Sequence, residues 1–260
     1  YISQIPHPAA LGSALTHPYI TTDYSEALLE FITPPLPTPD ATLQFLDEIH
    51  RAAYRQIGDE LLWSASMPCI LAGESSIPIA QYGRSNLGLM KHIYRRGLAW
   101  RYGRIMQVIA GIHFNFSLPD PFWALFQEQE GDRRSVQDFR SEAYFGLIRN
   151  LQRFGWLILY LFGASPAVCK SFLDGKSTTL PEFDDHTCYG PYATSLRMSN
   201  VGYTNRTEKE SGVNVCYNSL SEYIASLTQA TLTPWPPYEK IGVKVNGEYR
   251  QLNANILQIG

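Results

Sequence analysis

The sequence is short of charge and of cysteine, and it has no long apolar run. Only 17% of its 260 residues are charged and the net charge is −3, so nothing drives the whole surface toward nucleic acid. The four cysteines, Cys69, Cys169, Cys188 and Cys216, show no CxxC spacing, which argues against a zinc site and a disulfide framework. The longest apolar run, residues 156–164, is about half the ~20 residues that a membrane span needs. We therefore expect reduced thiols, a cytoplasmic location, and no nucleic-acid or membrane partner.

Signature motifs of several enzyme classes are also missing. Neither GxSxG nor GxGxxG occurs, so the sequence offers no serine-hydrolase elbow and no dinucleotide fingerprint. Residues 174–178 resemble the end of a phosphate-binding P-loop, but Lys170 stands where that motif needs its first glycine. The chain begins at Tyr1, not Met, and ends at Gly260 in a β-like run, so we expect it to be part of a longer protein.

The sequence does contain clear periodic segments, in a chain long enough to bury a sizeable core. Apolar residues at helical spacing predict helices over residues 39–57, 87–102, 135–162 and 219–231. Asn246-Gly247 predicts a type I′ turn in a β-hairpin over residues 241–252. The pattern favours one α+β domain over residues 1–260, with antiparallel strands covered by helices on one face.

Residues 105–117 alternate in a way that is typical of a strand. The even positions are apolar: Met106, Val108, Ala110, Ile112, Phe114 and Phe116. The odd positions place Gln107, His113 and Asn115 on the opposite face, where Gly111 leaves room for a close approach to the backbone. The pattern predicts an inner strand with a polar, concave, ligand-facing side, and a solvated polar exterior stays the alternative.

Acidic and basic candidates lie elsewhere in the chain. Asp23 and Glu30 occupy an extended segment and would offer hard oxygen ligands to Mg²⁺. They have opposite strand parity, so they converge only if a bulge or turn intervenes near residues 25–26. Basic residues gather between 91 and 104, and Arg197 lies alone in a later loop. Arginine forks suit carboxylates and phosphates, while ordinary surface charges are the alternative.

Ordered blocks along the whole chain resemble the proteobacterial glutamate–cysteine ligases. The most recognisable blocks are residues 20–33 (ITTDYSEALLEFIT), 66–69 (SMPC), 81–83 (QYG), 111–117 (GIHFNFS), 161–166 (LFGASP) and 192–197 (YATSLR). Their order and spacing are far more specific than any single motif. The resemblance implies a glutamine-synthetase-like fold, in which an antiparallel sheet forms a funnel with helices on the outer face.

The resemblance also implies an activity. Members join the γ-carboxylate of glutamate to the amine of cysteine through a γ-glutamyl phosphate, the first step of glutathione biosynthesis, with Mg²⁺ as cofactor and ATP as co-substrate. The small-molecule partners are thus glutamate, cysteine and ATP. The absence of a nucleophilic triad fits this chemistry, because phosphoryl transfer relies on metals and arginine instead.

Roles for individual residues follow from the resemblance alone. The acids expected at the Mg²⁺ site are Asp23 and Glu30. The substrate-binding residues are Tyr94, Arg95, Gln107, Asn115 and Tyr203, of which Tyr94, Gln107 and Tyr203 would line the cysteine side. The catalytic residues would be His113 and Arg197, which contact carboxylates or the transferring phosphoryl group together with Arg95 and Asn115. Which of these four contacts which group stays open.

The sequence departs from the family pattern at both ends. Family members carry a Glu-x-Glu strand before the position of Tyr1, and a metal-site glutamate and phosphate-binding arginines beyond the position of Gly260. We therefore expect the chain to hold the substrate-side half of the site and to be inactive alone. Two alternatives remain: a degenerate, non-catalytic homologue that binds an amino acid or a partner protein, and the N-terminal part of a bifunctional glutathione synthase.

Overall fold

The computed structural model describes residues 1–173, 177–202 and 211–259, and it has an α+β fold. Its helices are α1 (Pro39–Tyr54), α2 (Asn86–Tyr102), α3 (Asp120–Glu130), α4 (Val136–Phe154), α5 (Trp156–Phe162), α6 (Lys170–Leu173), α7 (Leu220–Leu232) and α8 (Pro236–Ile241). Within these ranges the strands form antiparallel pairs: β1 (Ile20–Thr22) with β2 (Leu29–Phe31), β3 (Ala167–Cys169) with β4 (Thr187–Tyr189), and β5 (Lys244–Val245) with β6 (Glu248–Tyr249).

The helix starts follow from their capping residues. The side chain of Thr38 accepts a hydrogen bond from the Ala41 amide at the start of α1, and Ser135 caps α4 in the same way. The predicted continuous helix over 135–162 is wrong at one point, because α4 ends at Phe154, α5 begins at Trp156, and Gly155 separates them. A Cβ on Gly155 would lie 2.5 Å from the Leu151 carbonyl oxygen, so this close turn requires glycine.

The turn chemistry of the last hairpin is confirmed. Asn246 and Gly247 both have positive φ, at 52° and 85°, as a type I′ turn requires, and they connect β5 to β6. Only two residues of each strand pair, so this hairpin is shorter than the predicted span of 241–252.

The predicted strand over residues 105–117 is wrong. Residues Ile105–Val108 form a 3₁₀ helix, and residues 109–119 have no regular structure. Ile112 and Phe114 are 97% and 75% exposed rather than buried. A strand needs a ladder of backbone hydrogen bonds to a neighbour. In the part of the chain that the structure describes, the ladder is reduced to one contact, from the Ala110 amide to the Ser66 carbonyl at 2.8 Å.

The largest buried cluster holds the segments around the candidate site in place. It packs Tyr24 from the first hairpin, Ile77, Ile105 and Val108 against Val168 of β3. Burying a side chain of this size stabilises the fold by roughly 1.5–3 kcal/mol. A second cluster packs α1 onto β1, so the first hairpin is anchored from both sides.

Several large apolar side chains remain on the surface. They include Ile112, Phe114 and Phe116 together with Trp156, Ile158, Tyr160, Leu161 and Phe162 of α5. Among the helices that the structure describes, none has the length and apolar character needed to cross a membrane.

Candidate active site

The first hairpin places Asp23 and Glu30 on the same face. Thr21 pairs across the ladder with Glu30, and Asp23 lies two residues beyond Thr21, one residue past the end of β1. The Asp23 amide donates to the Leu28 carbonyl at 3.0 Å, which continues the register into the turn. The chain therefore reverses between residues 23 and 28, and this reversal removes the parity conflict between the two acids.

Electrostatic interactions join these two acids to two basic groups. Burial and the negative charge of Glu30 raise the pKa of Asp23, while Arg95 and His113 lower it in part. Part of the Asp23 residue is open to solvent. The result is an accessible carboxylate whose charge is incompletely compensated, which is a suitable environment for a cation.

Arg95 of α2 holds the first hairpin through contacts with its backbone. Its Nε donates to the Asp23 carbonyl, and its Nη2 lies 3.5 Å from the Thr22 carbonyl. Its guanidinium also stacks on the Tyr82 ring at 4.6 Å. These contacts use much of its hydrogen-bonding capacity on the backbone, so Arg95 positions the segment that carries Asp23.

Tyr82 supports the first hairpin, although no sequence pattern assigned it a role. Its hydroxyl accepts from Thr22 Oγ1 at 2.9 Å and donates to the Thr22 carbonyl at 2.8 Å. A tyrosine that is only 6% exposed needs a partner for its hydroxyl. The sequence feature that could have indicated Tyr82 is the block QYG, which precedes α2 by only a few residues.

His113 and Arg197 meet over Gly111. A Cβ on Gly111 would lie 2.7 Å from Arg197 Nη2 and 3.5 Å from His113 Nε2. Arg197 Nε lies 3.3 Å from the Ala110 carbonyl oxygen, and the neighbouring Leu196 is buried and anchors the arginine in a 3₁₀ turn. The expected close approach at Gly111 is therefore made by the chain's own arginine.

Tyr94 and Gln107 lie in more enclosed positions. Burial raises the pKa of Tyr94, and the Arg95 charge lowers it in part. Gln107 is 6% exposed, and its Nε2 has no hydrogen-bond partner within the described ranges. Leaving such a donor unmet costs about 1–3 kcal/mol, so Gln107 would gain from a polar ligand atom.

One expected site residue is not brought into this group, and another cannot be placed in it or outside it. Asn115 is solvent exposed and forms no hydrogen bond to the residues that the structure describes. Tyr203 lies outside the described residues. Those residues also contain no group of three or more histidine, cysteine, aspartate or glutamate side chains arranged to hold a metal. Asp23 and Glu30 are thus a pair of acids, not a complete metal site.

The fold and the site together define a class. An α+β chain that gathers two carboxylates, arginine and histidine on one hairpin and its neighbours is suited to binding charged oxygens and a hard cation. A model of the glutamate–cysteine ligase family matches residues 1–260, and the chain belongs to this family.

Curated relatives and solved structures agree with this assignment. The chain is 59% identical to a glutamate–cysteine ligase of Alcanivorax borkumensis and 57% identical to one of Pseudomonas putida, over 99% of its own length. It spans about half the length of these relatives, 50% and 49%. A crystal structure of the Francisella tularensis glutamate–cysteine ligase in complex with AMP superimposes with a TM-score of 0.90 at 38% identity, over 99% of this chain and 50% of that one.

A bifunctional enzyme is also similar. The crystal structure of a bifunctional glutathione synthetase from Pasteurella multocida superimposes with a TM-score of 0.71 at 30% identity. The match covers 96% of this chain and 29% of that one. The family expected from the ordered sequence blocks is thus confirmed, in a chain that matches only part of each relative.

Proposed function

We propose that this chain provides part of the active site of an ATP-dependent ligase that joins the glutamate γ-carboxylate to the cysteine amine. The observation that carries the proposal is the electrostatic cluster of Asp23, Glu30, Arg95 and His113, with Arg197 beside His113. Membership of the glutamate–cysteine ligase family supports this reaction, the first step of glutathione biosynthesis. Because the chain spans about half of its curated relatives, the rest of the site would come from a longer protein, with residues 1–260 as one part of its catalytic domain.

The proposed reaction needs charge stabilisation more than a nucleophilic side chain. An oxygen of the γ-carboxylate attacks the terminal phosphorus of ATP, and ADP leaves with the electron pair of the broken bond. The cysteine amine then attacks the acyl carbon of the γ-glutamyl phosphate, and phosphate leaves. Neither step forms a bond to the protein, so its residues orient the reactants and stabilise the developing charge.

Asp23 and Glu30 fit the binding of Mg²⁺ in their chemistry, although two acids are fewer ligands than it needs. The two carboxylates share one face of the hairpin, and burial together with repulsion from Glu30 raises the pKa of Asp23. A hard cation relieves that repulsion and prefers such oxygen donors. Mg²⁺ would supply charge neutralisation for the ATP phosphates, and the AMP in the Francisella tularensis enzyme supports a nucleotide site in this family.

Arg197 and His113 are suited to hold an anion. The Nε of Arg197 donates to the Ala110 carbonyl, and its Nη2 lies over Gly111 next to His113 Nε2. We propose that these groups bind a substrate carboxylate or the transferring phosphoryl group, with Arg95 as a positioning residue. Asn115 would join this group. Tyr94, Gln107 and Tyr203 would line the cysteine pocket, where the unmet amide of Gln107 favours a polar ligand atom.

The funnel-shaped sheet of the glutamine-synthetase-like fold is also proposed. Residues 109–117 keep the alternation of a strand but have almost no ladder, and Ile112, Phe114 and Phe116 are exposed. We propose that strands from the unmatched part of the longer protein pair with this segment and bury its apolar side. A cytoplasmic location fits this reaction, because ATP and reduced cysteine are both available there.

The test is a coupled ADP-release assay on the full-length gene product with glutamate, cysteine and Mg²⁺–ATP. We expect cysteine-dependent turnover that falls about 10²–10³-fold in Arg197→Ala, the usual loss for one positioned electrostatic contact. Arg133→Ala is the matched control, because Arg133 is exposed and far along the chain from the cluster. Turnover without cysteine dependence, or none in the folded wild type, would favour the degenerate homologue.

The bifunctional alternative is addressed by adding glycine, the amine that glutathione formation also requires, to the same assay and identifying the product. The similarity to the Pasteurella multocida enzyme, whose chain this one covers to 29%, makes it a specific second candidate. Glutathione formation by the single purified protein would support it. Accumulation of γ-glutamylcysteine as the final product would support the monofunctional ligase.

A further inference from the structure

Cys69 and Cys169 lie far apart in sequence, yet their thiols are close enough to interact, and this interaction favours Cys69 as the proton donor. The Leu71 amide donates to Ser171 Oγ at 3.1 Å and so holds the two segments together. Cys69 is exposed and Cys169 is partly exposed, and both are free thiols. The pair is therefore open to small molecules from solution.

The surroundings of Cys169 favour its thiolate. Its Sγ lies 3.2 Å from Ser171 Oγ, and the backbone amides of Ile70 and Ser171 also face it. Burial works against the charged form, but these hydrogen bonds and the one from Cys69 lower the pKa of Cys169 on balance. Ile70 has a φ of 57°, an uncommon left-handed conformation for a β-branched residue, at the position that directs its amide to the sulfur.

The other cysteines have different surroundings. Burial and the neighbouring Cys169 raise the pKa of Cys69, so Cys69 stays protonated when Cys169 ionises. Cys188 is buried in the main hydrophobic cluster. Cys216 donates its thiol hydrogen to a carboxylate oxygen of Glu222 at 3.2 Å.

We propose that Cys169 and Cys69 form a dithiol site that exchanges with small-molecule disulfides, with Cys169 as the attacking thiolate and Cys69 as the resolving thiol. The Cys169 thiolate attacks one sulfur of the disulfide RSSR, forms a mixed disulfide and releases RS⁻. The Cys69 thiol then loses its proton and attacks Sγ of Cys169, which forms the Cys69–Cys169 bond and releases a second RS⁻. The two protein thiols are oxidised and RSSR is reduced to two thiols.

A cavity lies next to this pair. It has a volume of about 400 Å³ and is lined by residues 64–67 and 164–167, the segments that directly precede the two cysteines. Ser66 in its wall pairs with Ala110, whose carbonyl also accepts from Arg197 Nε at 3.3 Å. A bond between the two sulfurs would therefore tie β3 to the loop that holds the Ala110 segment under Arg197.

The probe is cystine, added to the reduced full-length protein at neutral pH. After the reaction is quenched, proteolysis without reductant and mass spectrometry map each cysteine. We expect a disulfide-linked peptide pair that contains Cys69 and Cys169, with Cys188 and Cys216 still reduced. In Cys69→Ser the reaction should stop at one cysteine adduct on Cys169, and in Cys169→Ser the oxidation of Cys69 should slow about tenfold or more.

Cys216→Ser is the matched control and should leave the Cys69–Cys169 link and its rate unchanged. Circular dichroism checks that each variant is folded, and the adduct on Cys169 in Cys69→Ser keeps the test decisive even if Cys169→Ser is unstable. The proposal is overturned if folded wild-type protein gives no Cys69–Cys169 link. It is also overturned if Cys216 takes up the cysteine adduct as fast as Cys169.

Discussion

Asp23 and Glu30 lie on one face of the first hairpin, and burial together with the negative charge of Glu30 raises the pKa of Asp23. Two carboxylates held together in a partly enclosed place cost free energy unless a positive charge compensates them. Arg95 and His113 compensate only in part. This imbalance makes the pair a candidate for cation binding. Neutralising one acid of the pair should therefore weaken function but stabilise the fold in the absence of metal.

Neutralising Glu30 should weaken the use of Mg²⁺–ATP. In the full-length protein we expect Glu30→Gln to raise the apparent KM for Mg²⁺–ATP by roughly 10–100-fold, while the KM for cysteine changes little. Steady-state kinetics with each substrate varied in turn measure the difference. Glu128→Gln, an exposed glutamate on α3, is the control. An equal loss for both substrates in a folded variant would count against the metal role.

Neutralising Asp23 should stabilise the fold in the absence of metal. The native pKa of Asp23 is raised, so its ionisation above that pKa costs the folded state free energy, and protonation at lower pH restores stability. We expect Asp23→Asn to increase the free energy of unfolding at pH 7 by a few tenths to about 1 kcal/mol, since solvent screens the site in part. Urea denaturation should show the gain at pH 7 and its disappearance near pH 3. A variant that is less stable than wild type at pH 7 would contradict the expected repulsion.

Adding a side chain at Gly111 should displace Arg197. The Cβ of Gly111→Ala would lie 2.7 Å from Arg197 Nη2, closer than such atoms normally approach. Because Gly111 is exposed, the fold should survive while kcat/KM of the full-length enzyme falls about 10²–10³-fold. Gly146→Ala is the matched control, since its Cβ meets only the flexible end of Arg149 at 3.8 Å. Equal activity of the two variants would show that the position of Arg197 has no role in catalysis.

Removing the Tyr82 hydroxyl should weaken the first hairpin. Tyr82→Phe leaves the buried Thr22 hydroxyl without its partner, and we expect a loss of about 1–3 kcal/mol in the free energy of unfolding. Tyr19→Phe removes a hydroxyl from a tyrosine that is 37% exposed and should change stability little. Urea denaturation of both variants tests this, and equal midpoints would refute it.

The local features that the sequence predicted correctly are those set by neighbouring residues. The helices predicted to start at residues 39 and 135 begin within one residue of those positions, because the hydroxyls of Thr38 and Ser135 reach backbone amides within the first turn, and Asn246-Gly247 tolerates the positive φ of its turn. These choices need no tertiary partner. These local caps set the starts of α1 and α4, whereas the ends of the two helices were predicted less accurately.

The strand over residues 105–117 was mispredicted because alternation states which side chains would share a face, not whether a neighbouring strand exists. Among the residues that the structure describes, only Ala110 finds a backbone partner on a distant segment, at Ser66. The meeting of Arg197 with Gly111 joins segments that are distant in sequence. The family resemblance implied a site role for Arg197 and the strand pattern predicted a close approach at Gly111, but neither gave their contact. The role of Tyr82 under Arg95 depends on a ring stacking that no local pattern encodes.

The 260-residue chain alone should not make γ-glutamylcysteine at a useful rate. Mg²⁺ is coordinated by about six oxygen ligands, and Asp23 and Glu30 are the only acids that we assign to its site in this chain. Losing one positioned electrostatic contact costs on the order of 10²–10³ in rate, so losing several should reduce turnover to background. The coupled ADP-release assay, run at equal concentration on this chain and on the full-length gene product, measures the difference. Circular dichroism and urea denaturation of the chain establish whether it is folded when assayed. Robust cysteine-dependent turnover by the folded chain alone would show that this chain already holds a complete metal site, and that the treatment of Asp23 and Glu30 as an incomplete pair is mistaken.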